Sequence, residues 1–414
     1  MGRSRSKRTL EPAAAVAVGG LREHQTTIFE RLDQLTRRAE VVDASRPAGA
    51  LFCIVLALSS IGFLIQASHA ATALEPADFF DQLLAQAWFR VGGIAVLILG
   101  ARIGPTGLRR FIPALVVLMA AMLIAVFLPV VGSSVNGSHR WLRLGPLSFQ
   151  PSELARIVVV LWLADRCVRL GPLVCEFKRG VMPMLALGLV FFGLVAVETD
   201  LGGAILLLLC IFATMWVGGA RPKHVFAMLP LIGTVALGVA FEVIPYIRRR
   251  IEMFLGHAHN QQVGDSLAAI ANGNFFGVGL GEGLARNQGV PYLESDFVFA
   301  QIGEELGLAG MLLVLVLLGA FLWYALRLVL SIRDRYDALA SFGLLVSTGL
   351  QSMLHVQVVA GLAPPKGMTL PFISHGGTSL VVSSLAVGLA IGAARRSSLP
   401  RSEIAGPLQL SPQI

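Results

Sequence analysis

Charge is scarce in this sequence. Asp, Glu, Lys and Arg make up 14% of its 414 residues, well below the share typical of a soluble domain. With 55% of residues hydrophobic and a mean hydropathy of +0.73, there is too little polar surface to cover a globule in water, so lipid must be the solvent. Cysteine is scarce too. Cys53, Cys167, Cys175 and Cys210 lie inside apolar runs or beside a short basic stretch, with no pair in an obvious outer loop. That argues against a structural disulfide and against metal or redox work. A cleavable signal peptide is also missing from the expected place, because residues 1–48 are polar and basic and the first apolar run opens only near Ala48. The net charge of +8 does not call for nucleic acid, since basic residues in a membrane protein mark its cytoplasmic loops.

Long apolar runs are what the sequence has in abundance. They fall at about 49–66, 84–101, 111–131, 154–168, 181–198, 202–219, 225–244, 298–327, 338–362 and 377–394. Most are long enough to cross a hydrocarbon core of roughly 30 Å. The pattern predicts an all-α polytopic membrane protein with about ten transmembrane helices. The pair 181–198 and 202–219 is joined only by Thr199-Asp200-Leu201, which predicts a tight helical hairpin or one broken element. With the amino terminus inside, 24 of the 33 Lys and Arg fall on inner segments. Both termini are therefore expected in the cytoplasm, and the long loop 245–297, between spans seven and eight, outside. Residues 1–48 are read as an amino-terminal tail, 49–395 as the membrane domain and 396–414 as a carboxy-terminal tail. Within the first tail, Leu21, Ile28, Leu32 and Leu35 have helical spacing, which fits a helix on the membrane surface or an unstructured segment.

Polar residues on the outer side oppose these trends. Arg140 and Arg143 flank Trp141 in the loop SVNGSHRWLRLGPLSFQPSEL, and Glu153 and Arg156 follow on one helical face at a spacing that permits an ion pair. Asp200 either caps the helix after it or serves a site. Asp296, at the end of the long loop, fits a base with a raised pKa or a cap for the next helix. Glu304 and Glu305 lie inside the eighth run, and one of them is expected to point into a polar cavity. Lys366 sits in a Pro- and Gly-rich outer segment, whose irregular backbone must line a cavity or be buried in protein. The long loop itself has apolar stretches that suggest re-entrant or interfacial pieces resting on the bundle. Its GVGLGEG stretch is weak as a nucleotide signal, and His257 and His259 are weak as metal ligands.

Four segments together resemble the FtsW/RodA (SEDS) family: NGSHRWLRLGPLSFQPSELAR (136–156), ETDLGGAILLL (198–208), ESDFVFAQIGEELGLAG (294–310) and GLAPPKGMTLPFISHGGTSL (361–380). Within the family the resemblance is to the division branch, because Pro-Lys-Gly at 365–367 is similar to its Pro-Thr-Lys-Gly. The resemblance implies a ten-span bundle and peptidoglycan glycosyltransferase activity, the polymerisation of lipid II at the outer face of the bacterial cytoplasmic membrane. It also implies a class B penicillin-binding protein as partner, other division membrane proteins, and a place at the septum. The family's essential aspartate, in His-Thr-Asp-Phe, falls on Asp296, and its Ser-Glu-x-x-Lys falls on Ser152, Glu153 and Arg156. Two motifs depart from the pattern: Glu294-Ser295-Asp296-Phe297, and Ser374-His375-Gly376-Gly377 for Ser-Tyr-Gly-Gly.

In such a transfer a sugar hydroxyl attacks an anomeric carbon and displaces lipid pyrophosphate. Asp296 is the candidate base. Trp141, Arg140, Arg143, Glu153, Arg156, Asp200, Lys366 and Ser374 are the candidate substrate-binding residues, with Arg248 and Arg249 as further cations for the leaving group. A divalent cation, Mg²⁺ or Mn²⁺, bridging Asp296 and the pyrophosphate is a candidate cofactor. A lipid II flippase and a non-catalytic division scaffold are the competing readings. A flippase needs a polar path across the whole bilayer, and a scaffold makes Asp296 dispensable.

Overall fold

A chain immersed in lipid has to satisfy its backbone polar groups internally, and the helix does this within one segment. Every apolar run accordingly falls on a helix. The computed structural model describes residues 44–73, 76–129, 131–135, 138–144, 147–243, 248, 252, 261–287, 293–364 and 367–398. The helices that carry the ten runs are α1 (Ser45–Ala73), α2 (Pro76–Arg109), α3 (Ile112–Ala125), α4 (Pro151–Leu170), α5 (Met182–Val197), α6 (Leu201–Val217), α7 (Pro222–Val243), α11 (Gly307–Ser331), α12 (Arg335–Val359) and α13 (Gly377–Ser398). Between α7 and α11 lie α8 (Gln261–Asn272), α9 (Leu284–Asn287) and α10 (Val298–Glu305). The expected surface helix at 21–40 lies outside the described residues.

Among the described residues, seven helices are long and apolar enough to cross a membrane on their own: α1, α2, α5 with the turn before it, α7, α11, α12 and α13. Helices α3 and α6 are apolar but shorter. Helix α4 carries Glu153, Arg156, Asp165, Arg166 and Arg169, and it escapes the cost of placing charge in lipid by being surrounded with protein. Its Ala155, Val159, Leu163 and Ala164 are fully buried at the centre of the larger apolar cluster, which draws on α3, α5, α6 and α12. A second cluster joins α1, α10, α11 and α13. Arg109 and Arg169 both bind Asp165, at 2.7 and 2.6 Å, at the basic end of the bundle, which is the inner side.

The chain between α5 and α6 is a hairpin rather than a broken helix. Thr199 takes φ of 63°, and Asp200 caps α6 by accepting from the Gly203 amide at 2.9 Å. The capping reading of Asp200 therefore holds. The outer loop after α3 adds a small antiparallel sheet to the helical fold: β1 (Gly132–Val135), β2 (Ser138–Leu144) and β3 (Leu147–Phe149).

Two expectations need correction. The run at 298–327 is not one span. Gly307 takes φ of 67° and breaks it into the short, fully buried α10 and the membrane helix α11. Neither Glu304 nor Glu305 points into a cavity. Glu304 Oε1 accepts from the amides of Leu284 (2.8 Å) and Ala285 (3.1 Å) and from Asn272 (3.0 Å). Glu305 accepts from Ser68 of α1 at 2.6 Å and from Gln301 at 3.0 Å. Both carboxylates thus hold the outer pieces onto the bundle. The long loop does contain such pieces. Helix α8 rests against α10 and α12, with Ser266 bonded to the Val359 carbonyl at 3.2 Å. Gly273 and Gly277 are required there, because a Cβ would stand 1.9 Å from the Gly303 carbonyl oxygen and 2.1 Å from that of Glu305.

Candidate functional site

The outer ends of the helices bring together three segments that are far apart in sequence: the sheet strand β2, the turn before α10, and the strap 367–376 before α13. In β2 side chains alternate, so Arg140 and Leu142 share one face while Trp141 and Arg143 share the other. Leu142 is buried, and Arg140 turns the same way, onto the α5–α6 hairpin. Its guanidinium donates to the Thr199 carbonyl and lies 3.8 Å from Asp200 Oδ1. Asp200 Oδ2 in turn accepts from Gln150 at 3.1 Å and Ser152 at 3.2 Å. Arg143 is exposed and Trp141 sits opposite Ser133 in the sheet register. The pleat thus separates Arg140 from Arg143.

Asp296 lies in the turn Leu293–Phe297, half-buried. Phe297 occupies the cap position of the following helix, with Asp296 one residue before it. The geometry sets Asp296 against Gly367. A Cβ at Gly367 would stand 3.3 Å from Asp296 Oδ2 and 3.8 Å from Arg140 Nη1. Carboxylate and guanidinium thus flank one side-chain-free stretch of backbone on the outer side. Lys366, next to it, lies outside the described residues, as do Arg249, Arg250, His257 and His259. Arg248 is turned to Glu252 at 2.8 Å.

The strap that supplies Gly367 is rigidly seated. Ser374 Oγ accepts from the Leu370 amide at 2.8 Å and donates to the Ser295 carbonyl at 2.7 Å, which ties the strap to the Asp296 turn. Phe372 takes φ of 67°, a costly conformation for a bulky residue. It is buried against Phe321 of α11, with ring centroids 6.3 Å apart. Gln66 of α1 donates to the Ile373 carbonyl at 2.8 Å, and Gly62 allows that approach, since a Cβ there would meet Ile373 Cα at 2.6 Å.

Glu153 and Arg156 sit one turn deeper and do not pair as expected. Arg156 donates to Gln351 Oε1 at 2.8 Å and to the backbone carbonyl of Glu153 at 3.4 Å. Among the described residues no ion pair joins the two side chains. Gln351 passes the contact outward through Nε2, which donates to the Thr369 carbonyl at 3.1 Å and to Ser379 at 3.2 Å. Arg156 is thereby linked to the strap two residues from Gly367. Glu153, Arg156, Ser347, Thr348, Gln351 and Ser383 line a small polar cleft.

Several participants were not singled out from the sequence: Thr199, Gln150, Gln351, and a group of His69, Gln86, Arg90 and His375. Arg90 is buried in α2, donating to the Ser59 carbonyl at 3.0 Å and to Gln86 Oε1 at 3.2 Å. That orients the Gln86 amide nitrogen toward His375 Nδ1, 2.7 Å away. The imidazole must accept there, so it is neutral. Burial also pushes its pKa below the ordinary histidine value, against the pull of Glu294. His69 Nε2 lies 2.5 Å from Glu294 Oε2, and that contact holds the Glu294 carboxyl below its ordinary range. The readable signal was an arginine, Arg90, inside the apolar run 84–101, where polar groups are expensive.

Among the described residues, no three His, Cys, Asp or Glu side chains converge as a metal site. Asp296 therefore offers a divalent ion one carboxylate.

Residues 49–399 match the family of cell cycle proteins that groups FtsW, RodA and SpoVE. A probable peptidoglycan glycosyltransferase FtsW of Aromatoleum aromaticum is 32% identical over 377 residues, 88% of this chain and 91% of that one. Stage V sporulation protein E of Bacillus subtilis is 32% identical over 357 residues, 84% of this chain and 96% of that one. Among solved structures, a chain of a peptidoglycan synthase complex superposes with a TM-score of 0.70 at 27% identity, covering 84% of this chain and 98% of its own length. The rod shape determining protein RodA of Thermus thermophilus superposes with a TM-score of 0.63 at 26% identity, covering 84% and 97%. This multi-pass membrane chain, with its outer aspartate, arginine and glycine strap, belongs to the FtsW/RodA/SpoVE family of cell cycle proteins.

Proposed function

We propose that this chain is a peptidoglycan glycosyltransferase that polymerises lipid II at the outer face of the bacterial cytoplasmic membrane during division. The observation that carries the reading is the meeting of Asp296 and Arg140 at Gly367, at the outer ends of the helices. Glycosyl transfer needs a base for the attacking sugar hydroxyl and positive charge for the departing pyrophosphate. Asp296 accepts the hydroxyl proton as the oxygen closes on the anomeric carbon. Arg140, oriented by Thr199 and Asp200, holds the pyrophosphate as its bond to the sugar breaks. The absence of a side chain at Gly367 leaves room for the sugar between them. Lys366, by its place in the sequence, adds a second cation. Arg156 steadies the strap through Gln351 rather than touching the headgroup.

A divalent ion, Mg²⁺ or Mn²⁺, fits only as a cation shared by Asp296 and the substrate's own phosphate oxygens. It would neutralise charge on the leaving group. The proposed partner is a class B penicillin-binding protein, in keeping with the solved relative that forms part of a synthase complex, together with other division membrane proteins at the septum.

A flippase needs a polar path across the bilayer, and the described residues offer little room for one. The cleft between α4, α12 and α13 has room for about one water, and the inner end is closed by the Arg109–Asp165–Arg169 cluster. The test is direct. Purified chain with its transpeptidase partner, given lipid II, should make glycan strands, and Asp296→Ala should fold normally and make none. Substantial glycan from the Ala variant excludes Asp296 as base, and no glycan from wild type favours the scaffold reading.

A further inference from the structure

The turn that carries Asp296 is held from two sides by groups the reaction itself does not use. Two residues before the aspartate, the Glu294 carboxylate meets His69 of α1 at 2.5 Å. The Glu294 backbone carbonyl accepts from the His375 amide at 3.0 Å. One residue on, the Ser295 carbonyl accepts from Ser374. The turn therefore has two backbone bonds to the strap and one side-chain bond to a membrane helix. The backbone bonds fix its height against the strap. The side-chain bond ties it to α1 as well, and α1 is anchored independently to the strap by Gln66 and to α10 by the Ser68–Glu305 bond. His69 lies one residue from Ser68, so α1 carries both restraints at its outer end.

We infer that Glu294 is a positioning residue: through His69 on one side and the His375 amide on the other, it sets the angle at which Asp296 faces Gly367 and Arg140. The charges around it agree with this role. His375 faces Gln86, and its pull on Glu294 is weaker than the direct contact from His69. Arg90 is turned away to Gln86 and Ser59. His69 is thus the partner of the Glu294 side chain. The inference rests on the assignment of Asp296 as the base, and it concerns geometry at the reacting group rather than affinity for lipid II.

A positioning residue affects the rate of the bound complex more than substrate capture. With the full chain and its partner, Glu294→Ala and His69→Ala should each lower kcat roughly ten-fold and leave KM for lipid II within about two-fold. His69→Gln, whose amide nitrogen donates at similar reach, should recover to within about three-fold of wild type. The double variant Glu294→Ala/His69→Ala should be no worse than the poorer single, because both remove one contact. Hydrogen exchange should speed up at 293–298 and 370–376 in both Ala variants and not in His69→Gln. Should Glu294→Ala fail to fold, the two His69 variants ask the same question. Unchanged kcat with unchanged exchange overturns the inference, as does a loss confined to KM. If wild type makes no glycan, the functional reading fails, and the exchange pattern alone then decides whether Glu294 and His69 position the turn.

Discussion

A methyl group at Gly367 would point between the two groups assigned to chemistry, 3.3 Å from Asp296 Oδ2 and 3.8 Å from Arg140 Nη1. Among the described residues, no other atom lies within ordinary contact distance of that position. Gly367→Ala should therefore lower polymerisation about ten-fold or more while leaving the detergent melting temperature where it was. A large drop in stability would show that Gly367 serves the backbone instead. His375 carries a different prediction. Its buried imidazole holds a proton less readily than an unfolded one, with Arg90 and His69 opposing protonation and Glu294 favouring it. The unfolded chain thus binds more protons, and His375 costs no stability above the ordinary histidine value. The cost appears as pH falls through that value. Melting temperature should decline between about pH 7 and pH 5, and His375→Gln should flatten that decline. An unchanged slope would place the acid sensitivity elsewhere. At this scale the sequence was readable where a residue opposed its surroundings on the outer side, as Asp296, Asp200 and Arg140 do. It was less readable for His69 and Arg90, whose partners come from segments far away in the chain. Orientation was hidden too. Arg140 and Arg143 look equivalent in sequence, and only the pleat of β2 sends one to the site and the other to solvent.

Elements were legible through hydropathy because lipid permits few alternatives to the helix. The exception is the eighth run. Nothing in its apolar composition marks Gly307 as a break, since glycine is common within membrane helices. The break becomes visible only from the other side, where Gly273 and Gly277 pack against the carbonyls of Gly303 and Glu305. This junction yields a prediction. Gly277 has φ of 84° and a Cβ there would overlap the Glu305 carbonyl oxygen at 2.1 Å. Gly277→Ala should cost about 2 kcal/mol or more from strain and overlap together. The loss should appear as faster hydrogen exchange across 261–310, with α4 and α12 still protected. Uniform destabilisation would mean that α8 and α10 unfold with the bundle. A second element-scale prediction concerns α4 and α12. Gln351→Leu leaves the buried Arg156 guanidinium without its side-chain partner at Nη1 and cuts the link to Thr369. It should cost about 2–4 kcal/mol. A Glu153→Arg/Arg156→Glu charge swap should recover nothing, because Arg156 is bonded to Gln351 and not to the Glu153 carboxylate.

For the whole molecule, the decisive quantity is which ends of the helices face the exterior. Lys and Arg concentrate at the ends that hold Arg109, Arg169, Arg335 and Arg396. The sheet, the Asp296 turn, the strap and helices α8 and α10 all gather at the other ends. The positive-inside argument sets the first group in the cytoplasm, and lipid II polymerisation requires the second group outside. The two arguments are independent, one resting on insertion and one on where the undecaprenyl-linked sugar is presented. They stand or fall on one measurement. With the native cysteines replaced, Glu282→Cys and Lys178→Cys each introduce one thiol at an exposed position, the first in the outer segment before α9 and the second in the turn before α5. A membrane-impermeant maleimide added to intact spheroplasts should label Glu282→Cys and spare Lys178→Cys. Opening the membrane should then make both reactive. Labelling of Lys178→Cys in intact spheroplasts would put Asp296, Arg140 and Gly367 in the cytoplasm. Polymerisation at the outer face would then be impossible for this arrangement, whatever the similarity of the chain to its relatives.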